Sequence, residues 1–340
     1  MRRLKLPRGP VLLDPAGSAL GEEDRRRLCH PAAGGAILFA RNYESPEQLA
    51  ALAAEIAALR DPPLLVATDH EGGRIQRFRA GFTALPPARR LGVLWDRDAE
   101  AGRGAARALG YVAGAELAAH GVDFPFAPVL DLDYGASEVI GDRALHFDPL
   151  AVGELACAVV AGLAAAGMAA VGKHFPGHGY AAADTHCAEA RDERTYGEIA
   201  AKDLAPYRTA IAAGLAGVML AHVIYPRCDA RPAGFSPFWI GEVLRRRLAF
   251  GGLVVSDDLT MSGAAQGGGI GERARAALAA GCDMVLVCGD ARAQETVLDA
   301  LADHALAAPE RVERMRRRSA RDLRRGPAWR EACAALAQVP

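Results

Sequence analysis

GLVVSD, residues 252–257, is a short run of apolar residues that ends in a carboxylate. A run without alternating polar residues is typical of a β-strand that is covered on both faces. Seven other short apolar runs occur along the chain and predict seven further strands. They are VLLD to Asp14, GAILFAR to Arg41, LLVATD to Asp69, FPFAPVLD to Asp131, MAAVGKH to His174, GVMLAH to His222 and DMVLVCG to Gly289.

Alanine-rich stretches with helical spacing separate these runs. One of them, EQLAALAAEIAALR, has Ser45 at the N-cap, Pro46 at the first helical position and Gln48 at the capping-box position. Ser236 and Pro237 give the same start signal to FWIGEVLRRRLAF. Strand–helix alternation repeated eight times without a break in composition predicts an α/β protein, a single-domain (β/α)8 TIM barrel over residues 1–340. The alternative is an open doubly wound sheet, but no G-x-G-x-x-G motif follows the first strand.

The end of the chain, from about residue 308, is basic. Its segment RVERMRRRSARDLRRG, residues 311–326, contains Glu313 and Asp322 and has helical spacing. These features predict a solvated terminal helix rather than an RNA-binding segment. Cys282 and Cys288 flank the last apolar run, and we expect both to be buried packing residues.

The composition is that of an ordinary globular protein, with 340 residues, 51% hydrophobic residues, 24% charged residues and a net charge of −1. Such a balance offers no electrostatic reason for a nucleic-acid partner. The first residues lack the apolar core of a secretory signal, and no run approaches the ~20 apolar residues of a membrane span. The seven cysteines are scattered and form no C-x-x-C pair, which favours reduced thiols over a disulfide framework. We therefore expect a cytoplasmic protein without a membrane partner.

Catalytic groups of a (β/α)8 barrel lie at the carboxyl ends of its strands. Seven of the eight runs end in an ionisable residue, namely Asp14, Arg41, Asp69, Asp131, His174, His222 and Asp257. Each alone could be a helix cap, but together at one mouth they indicate a site. Asp257 should point into that mouth, and Asp258 should by alternation point elsewhere. Position alone leaves Asp257 open as a nucleophile, a metal ligand or a cap.

The segment ATDHEGGRIQRF brings charged residues next to the third strand. Asp69 and Arg77 could hold a polyhydroxylated ligand, because carboxylates and guanidinium groups form directional hydrogen bonds with hydroxyls. Glu71 and Arg74 are also compatible with an ordinary salt-bridged loop. Arg143 in VIGDRALH is ambiguous by itself.

The segment GKHFPGHGYAAADTHC, residues 172–187, contains three histidines. His174 and His178 have the spacing of a helical zinc pair, but the Pro-Gly dipeptide between them breaks such a helix, so no metal site is predicted. Asp184 and His186 can share one side of an extended chain. The carboxylate would then orient the imidazole, which makes His186 a candidate general acid/base.

The motifs KHFPGHG, ADTH, DHEGGRIQRF, GDR, LAHVIYP and VVSDDLTM resemble those of the bacterial β-N-acetylglucosaminidases of glycoside hydrolase family 3. The similarity runs from about Leu12 to about Cys288. It implies a retaining hydrolase, without cofactor or metal, that removes terminal N-acetylglucosamine from 1,6-anhydro-muramoyl peptides in peptidoglycan recycling. The expected partners are therefore small molecules, muropeptides and N-acetylglucosaminides, and the expected state is a monomer.

The resemblance also implies roles for individual residues. Asp257 matches the family nucleophile, His186 matches the general acid/base, and Asp184 matches its dyad partner. The positions that bind the terminal sugar match Asp69, Arg77, Arg143, Lys173 and His174.

Three alternatives to this hydrolysis stay open. An imidazole acid/base would not repel phosphate, so the same site could cleave glycosides by phosphorolysis. A metal-dependent hydrolase of the same fold is disfavoured because no H-x-H motif ends the first strand. A sugar-binding protein without catalysis would show no turnover.

Overall fold

The computed structural model describes residues 3–181, 189–318 and 322–340. Eight parallel strands form one sheet: β1 Val11–Leu13, β2 Ala33–Leu38, β3 Leu65–Thr68, β4 Phe124–Pro125, β5 Val171–Phe175, β6 Gly217–Leu220, β7 Leu253–Asp258 and β8 Met284–Val287. Their order in the sheet is β4-β3-β2-β1-β8-β7-β6-β5. Each of the eight apolar runs therefore overlaps a barrel strand, as predicted.

The two outer strands of the sheet, β4 and β5, meet through the residues that follow β4. The Leu130 N–H donates to the Lys173 carbonyl at 2.7 Å, and the Val171 N–H donates to the Ala127 carbonyl at 2.9 Å. A parallel bridge between Val129 and Lys173 completes the contact. The sheet is thus a nearly closed (β/α)8 barrel, which confirms the predicted fold and excludes the open doubly wound sheet.

Helices cover the outside of the barrel. They are α1 Glu22–Leu28, α2 Pro46–Ala58, α3 Ala88–Arg97, α4 Ala99–Ala119, α5 Pro149–Ala165, α6 Tyr196–Ala201, α7 Leu204–Ala212, the π-helix Phe238–Arg247, α8 Ile270–Ala280, α9 Ala291–Ala300, α10 Pro309–Glu313 and α11 Pro327–Leu336. Short 3₁₀ turns span Ala40–Asn42, Gly141–Arg143, Ala233–Phe235 and Ser262–Gly267. Small accessory strands are Leu4–Lys5, Arg60–Asp61, His70–Gly72, Ile75–Gln76, Ala190–Arg191, Val223–Tyr225 and Asp229–Pro232.

The two predicted helix starts are present, with differences in detail. The Ser45 hydroxyl accepts from the Gln48 N–H at 3.2 Å, as an N-cap should. The Gln48 side chain, however, accepts from the Glu44 N–H, one residue before the capping-box position. The Ser236 hydroxyl accepts from the Trp239 N–H at 3.1 Å. The helix that follows is a π-helix and not the expected α-helix.

β4 is the strand that departs most from its prediction, because FPFAPVLD yields only two strand residues. Pro125 and Pro128 have no N–H to donate, so the segment cannot form a continuous ladder on both sides. Its carboxyl end still reaches the barrel mouth, where Asp131 lies completely buried.

The barrel interior has its own apolar cluster, which includes Phe124, Leu253, Val255 and Met284. Alternation along β7 puts Asp257 on the same side as Leu253 and Val255, towards the barrel axis. A larger cluster fills the space between the strands and the helices. Cys282 and Cys288 are buried, as predicted.

The basic tail differs from its prediction. Residues 314–318 are not helical, and in the described part of the tail helices occupy only Pro309–Glu313 and Pro327–Leu336. Val312 and Met315 are fully buried in the interior cluster, and Arg317 donates to the Asp123 carboxylate at 3.0 Å. A continuous solvated helix over residues 311–326 is therefore wrong, because the chain bends to insert apolar side chains beneath the barrel. Within the described residues, no helix has the length and apolarity needed to cross a membrane.

Candidate active site

A cavity opens at the carboxyl ends of the strands. Ligand sites of (β/α)8 barrels occupy this end of the fold. The cavity is lined by every predicted site residue that the structure describes, namely Asp69, Arg77, Arg143, Lys173, His174 and Asp257. The remaining two, Asp184 and His186, lie outside the described residues.

A cluster of carboxylates and cations forms one wall of the cavity. Lys173 Nζ, on β5, lies 2.7 Å from Asp69 Oδ1 and 2.6 Å from Glu71 Oε1. Arg77 donates to Asp69 Oδ2 at 2.9 Å. Arg143 donates to both oxygens of Glu71, at 2.8 and 2.9 Å. Paired charges of this kind can be buried without an uncompensated desolvation cost.

The cluster keeps its members charged. Burial raises the pKa of the Asp69 carboxyl, but the charges of Lys173 and Arg77 outweigh it and hold this pKa well below its usual range. Burial likewise opposes ionisation of Glu71, yet Arg143 and Lys173 lower its pKa to about 2. The pKa of Lys173 is raised because Asp69 and Glu71 overcome the effect of burial. Fixed charges with known donors and acceptors suit hydroxyl recognition.

Glu71 is a residue whose place the sequence did not reveal. Arg74, its expected partner, instead pairs with Asp142 at the surface at 3.0 Å. Glu71 follows Asp69 by two residues, so the two side chains share one face of extended backbone. That spacing was the signal that could have placed Glu71 in the site.

Phe39 supports the same wall from β2. Its ring contacts two guanidinium groups, with the ring centroid 4.6 Å from that of Arg41 and 5.2 Å from that of Arg77. Such cation–π contacts favour one orientation of a guanidinium. Arg41 itself pairs with Asp14. Asp14 also accepts from the Gly289 N–H at 2.8 Å, so this strand-end pair joins the first, second and eighth strands.

Asp257 lies at the end of β7, and its Oδ1 accepts from the Asp258 N–H at 2.8 Å. Burial raises the pKa of the Asp257 carboxyl, but the neighbouring His174 and His222, together with the Asp258 N–H and Lys173, outweigh this effect and place the pKa below its ordinary value. The carboxylate is therefore ionised at neutral pH. An ionised carboxylate facing a cavity can act as a nucleophile or stabilise a developing positive charge.

Asp258 also lines the cavity, contrary to the alternation that predicted it elsewhere. The pairing of β7 with β8 shifts register between Val255 and Asp258, which breaks the simple alternation. Its carboxylate accepts from the Thr260 N–H at 3.0 Å, the Thr260 hydroxyl at 2.7 Å and the Cys288 N–H at 3.1 Å. Burial nevertheless raises the pKa of Asp258 to about 6. The two neighbouring carboxyls thus have opposite pKa shifts.

Two histidines approach Asp257 from other strands. His222, after β6, is completely buried, and its Nε2 lies 3.1 Å from the Asp258 carbonyl oxygen. His174, on β5, places its Nδ1 2.6 Å from Asp131 Oδ2. Within residues 3–181, 189–318 and 322–340, no group of His, Cys, Asp and Glu has the arrangement of a metal site.

The fold and this site have counterparts in known proteins. The profile of the glycosyl hydrolase family 3 N terminal domain matches residues 4–321. A beta-hexosaminidase of Thiobacillus denitrificans is 58% identical over 308 residues, covering 90% of this chain and 86% of that protein. A beta-hexosaminidase of Aromatoleum aromaticum is 58% identical over 314 residues, covering 92% and 88%.

A solved structure extends the likeness to the whole chain. The crystal structure of NagZ from Neisseria gonorrhoeae in complex with N-trifluoroacetyl-D-glucosamine superposes with a TM-score of 0.92 at 45% identity, covering 99% of each chain. The chain therefore belongs to glycosyl hydrolase family 3 and is a glycoside hydrolase.

Proposed function

We propose that this glycoside hydrolase is a retaining exo-β-N-acetylglucosaminidase. Its substrates would be 1,6-anhydro-N-acetylmuramoyl peptides that carry a terminal β-1,4-linked N-acetylglucosamine. The observation that carries the proposal is the partly buried, ionised Asp257 in a cavity that is also lined by the paired Asp69 and Lys173. The beta-hexosaminidase relatives and the sugar derivative bound to the Neisseria gonorrhoeae enzyme support this choice of substrate.

The terminal sugar would be bound by the cavity wall. Asp69 would accept hydrogen bonds from sugar hydroxyls, while Lys173 and Arg77 would donate to their oxygens. Arg143 and His174 would complete the set. Because these groups already hold one another in place, little side-chain entropy is lost on binding, and the anomeric carbon is held in a fixed position for attack.

In the reaction, the Asp257 carboxylate would attack the anomeric carbon and form a covalent glycosyl-enzyme. His186 would donate a proton to the leaving glycosidic oxygen and then take a proton from the water that hydrolyses the intermediate. Asp184 would orient His186. Retaining enzymes usually use two carboxyls about 5–5.5 Å apart, and here a histidine would replace the second one.

The contrast between Asp257 and Asp258 supports the choice of nucleophile. Asp258 is engaged by three donors from Thr260 and Cys288, and its pKa is about 6. Asp257 has the lower pKa and accepts the Asp258 N–H. A carboxylate that is ionised and less fully engaged is the better nucleophile.

The substrate class implies a place in the cell. Anhydromuramoyl peptides arise from cell-wall turnover, so the enzyme would act in the cytoplasm during peptidoglycan recycling. It would act as a monomer on small molecules, without cofactor or metal. Its second reactant would be water, or phosphate if the enzyme cleaves glycosides by phosphorolysis.

The test is turnover of a chromogenic β-N-acetylglucosaminide, with the matching glucoside and N-acetylgalactosaminide as controls. We expect hydrolysis of the first in preference to both controls, and loss of activity in Asp257→Asn. The reaction is run in phosphate-free and in phosphate buffer, and N-acetylglucosamine 1-phosphate would reveal phosphorolysis. A chelator should change nothing. Absence of turnover, or activity that a chelator removes and zinc restores, would overturn the proposal.

A further inference from the structure

Asp131 is a buried carboxylate next to the cavity. It has none of the catalytic or sugar-binding roles proposed for the other residues. It follows β4 and is 0% exposed. Its Oδ2 lies 2.6 Å from His174 Nδ1. Its oxygens also accept from the His174 N–H, at 3.2 Å each, and its Oδ1 accepts from the His178 N–H at 2.7 Å. An isolated carboxylate is costly to bury, so these four contacts define its environment.

The contacts dictate which nitrogen of His174 carries a proton. Burial raises the pKa of Asp131, but His174 outweighs it and keeps the pKa below its ordinary value. An ionised carboxylate can only accept, so the His174 Nδ1 must be the donor. The ring lines the cavity, which leaves Nε2 as the nitrogen available to a ligand. A histidine held in this way presents a single tautomer.

The same carboxylate also anchors the backbone on both sides of Phe175–Gly177. It binds the N–H of His174 before this turn and the N–H of His178 after it. The Tyr225 hydroxyl donates to the Gly177 carbonyl at 2.6 Å and supports the turn from a neighbouring strand. A hydrogen-bonded turn thus presents His174 and His178 to the cavity.

We propose that Asp131 is a positioning residue that fixes the tautomer and orientation of His174, and thereby the hydrogen bond that Nε2 offers to the bound sugar. The inference rests on the proposed function, in which His174 contacts the terminal sugar. Asp131 itself does not touch the substrate. Its carboxylate acts through the imidazole, as a carboxylate that orients a catalytic histidine does in hydrolytic triads.

The Asp131→Asn variant tests this role because the amide has one acceptor and one donor. The two backbone N–H groups keep the acceptor, so the amide NH₂ faces His174 Nδ1 and forces the proton onto Nε2. Nitrogen-15 NMR of the histidine-labelled free enzyme should show an Nδ1–H ring in the wild type and an Nε2–H ring in the variant. The variant should lose roughly 10- to 100-fold in kcat/KM, as expected for one hydrogen bond in a charged site.

Asp123→Asn is the matched control. Asp123 is also buried, accepts from the Val66 N–H at 3.0 Å and pairs with Arg317, but it lies at the opposite end of β4. The control should lose stability without losing kcat/KM and without changing the His174 tautomer. A fall in kcat/KM equal to that of Asp131→Asn would mean that Asp131 is only structural.

A second experiment, in an enzyme that lacks His174, separates a positioning effect of Asp131 on kcat/KM from its effect on folding stability. In a His174→Phe enzyme, the further change Asp131→Asn should reduce kcat/KM by less than about threefold, because the imidazole through which Asp131 acts is gone. A full loss in both backgrounds would overturn the proposal. If Asp131→Asn does not fold, the wild-type spectrum decides alone, since an Nε2–H tautomer there contradicts the inference. That spectrum needs no substrate, so it stands apart from the turnover assay that tests the proposed function.

Discussion

Asp257 and Asp258 are adjacent in sequence but lie in different surroundings. The pKa of Asp257 is lowered by the neighbouring His174 and His222, the Asp258 N–H and Lys173, which together outweigh desolvation. Asp258 is only partly buried, but desolvation, with the negative charge of Asp257 adding to it, raises its pKa to about 6. Environments that separate the pKa values of two carboxyls are a common sign of divided chemical roles.

At this scale we expect Asp257→Asn to reduce kcat by on the order of 10⁴-fold or more, because the amide cannot form the glycosyl-enzyme. Asp258→Asn should reduce kcat far less, since the role of the Asp258 carboxylate is to accept hydrogen bonds from Thr260 and Cys288. Steady-state kinetics on a nitrophenyl N-acetylglucosaminide, with circular dichroism to check folding, measures both. A more severe loss in Asp258→Asn would reverse the assignment.

Glu71 and Asp142 form a second informative pair, because both accept from an arginine but only one is buried. Glu71→Gln removes the bidentate partner of Arg143 and one partner of Lys173, and it should cost about 3–5 kcal/mol of unfolding free energy. Asp142→Asn loosens only the half-exposed pair with Arg74 and should cost less than about 1 kcal/mol. Urea unfolding at neutral pH compares them. Equal losses would show that the Glu71 cluster does not stabilise the mouth.

At the scale of elements, the hairpin after β3 carries a buried histidine. His70 packs against Phe78 and Phe82, with ring centroids 5.6 and 5.7 Å away. Among the described residues, neither of its ring nitrogens has a hydrogen-bond partner. Burial, aided by the charges of Arg79 and Arg77, lowers its pKa to about 3. The hairpin thus requires a neutral imidazole.

This burial makes stability depend on pH. The ordinary pKa of histidine is about 6.5, so below that pH the unfolded chain takes up a proton that the folded chain refuses until about pH 3. The stabilisation is present above pH 6.5 and is lost as the pH falls towards 3. At pH 5 the loss from His70 should be about 2 kcal/mol.

The His70→Phe variant should remove that loss, since phenylalanine does not titrate and suits the aromatic cluster. Urea unfolding of both proteins at pH 7.5 and pH 5 gives the comparison. The wild type should lose about 2 kcal/mol more than the variant between these pH values. Parallel losses in the two proteins would mean that His70 accepts its proton in the folded state.

The elements that sequence predicted well are those fixed by local chemistry. The barrel strands follow from uninterrupted apolar runs, and Ser45 caps its helix because its hydroxyl needs only a neighbour three residues away. The failures depend on contacts between distant segments. Asp258 enters the cavity through a register shift against β8, and Glu71 meets Arg143 from another loop. The two-residue spacing from Asp69 indicates which face Glu71 occupies, but neither long-range contact itself leaves a local pattern in the sequence.

At the scale of the whole molecule, the tail from about residue 308 packs beneath the barrel and contributes to folding stability, but it does not form part of the active site. Met315 and Val312 are fully buried, and Arg311 donates to Asp283 at 2.9 Å. The spacing of these two apolar residues, three apart, was a signal for packing that the surrounding arginines obscured. The active cavity opens at the other end of the barrel. Changes to the tail should therefore affect folding and not catalysis.

Met315→Ala tests this separation. The change should reduce the unfolding free energy by about 2–5 kcal/mol, because it leaves a cavity in a close-packed region. Arg314→Ala, at an exposed neighbouring position, should change it by less than about 0.5 kcal/mol. Both variants should keep the wild-type kcat at temperatures where they are folded. A loss of kcat in folded Met315→Ala would show that the two ends of the barrel are coupled.

The measurement that tests the central claim most directly is covalent trapping with a slow fluorinated N-acetylglucosaminide, followed by mass-spectrometric mapping of the labelled peptide. The claim is that Asp257, ionised at the end of β7, attacks the anomeric carbon. We predict one label per chain, on the Asp257 carboxylate, and none in Asp257→Asn. A label on Asp258, or turnover with inverted configuration and no label at all, would contradict the account.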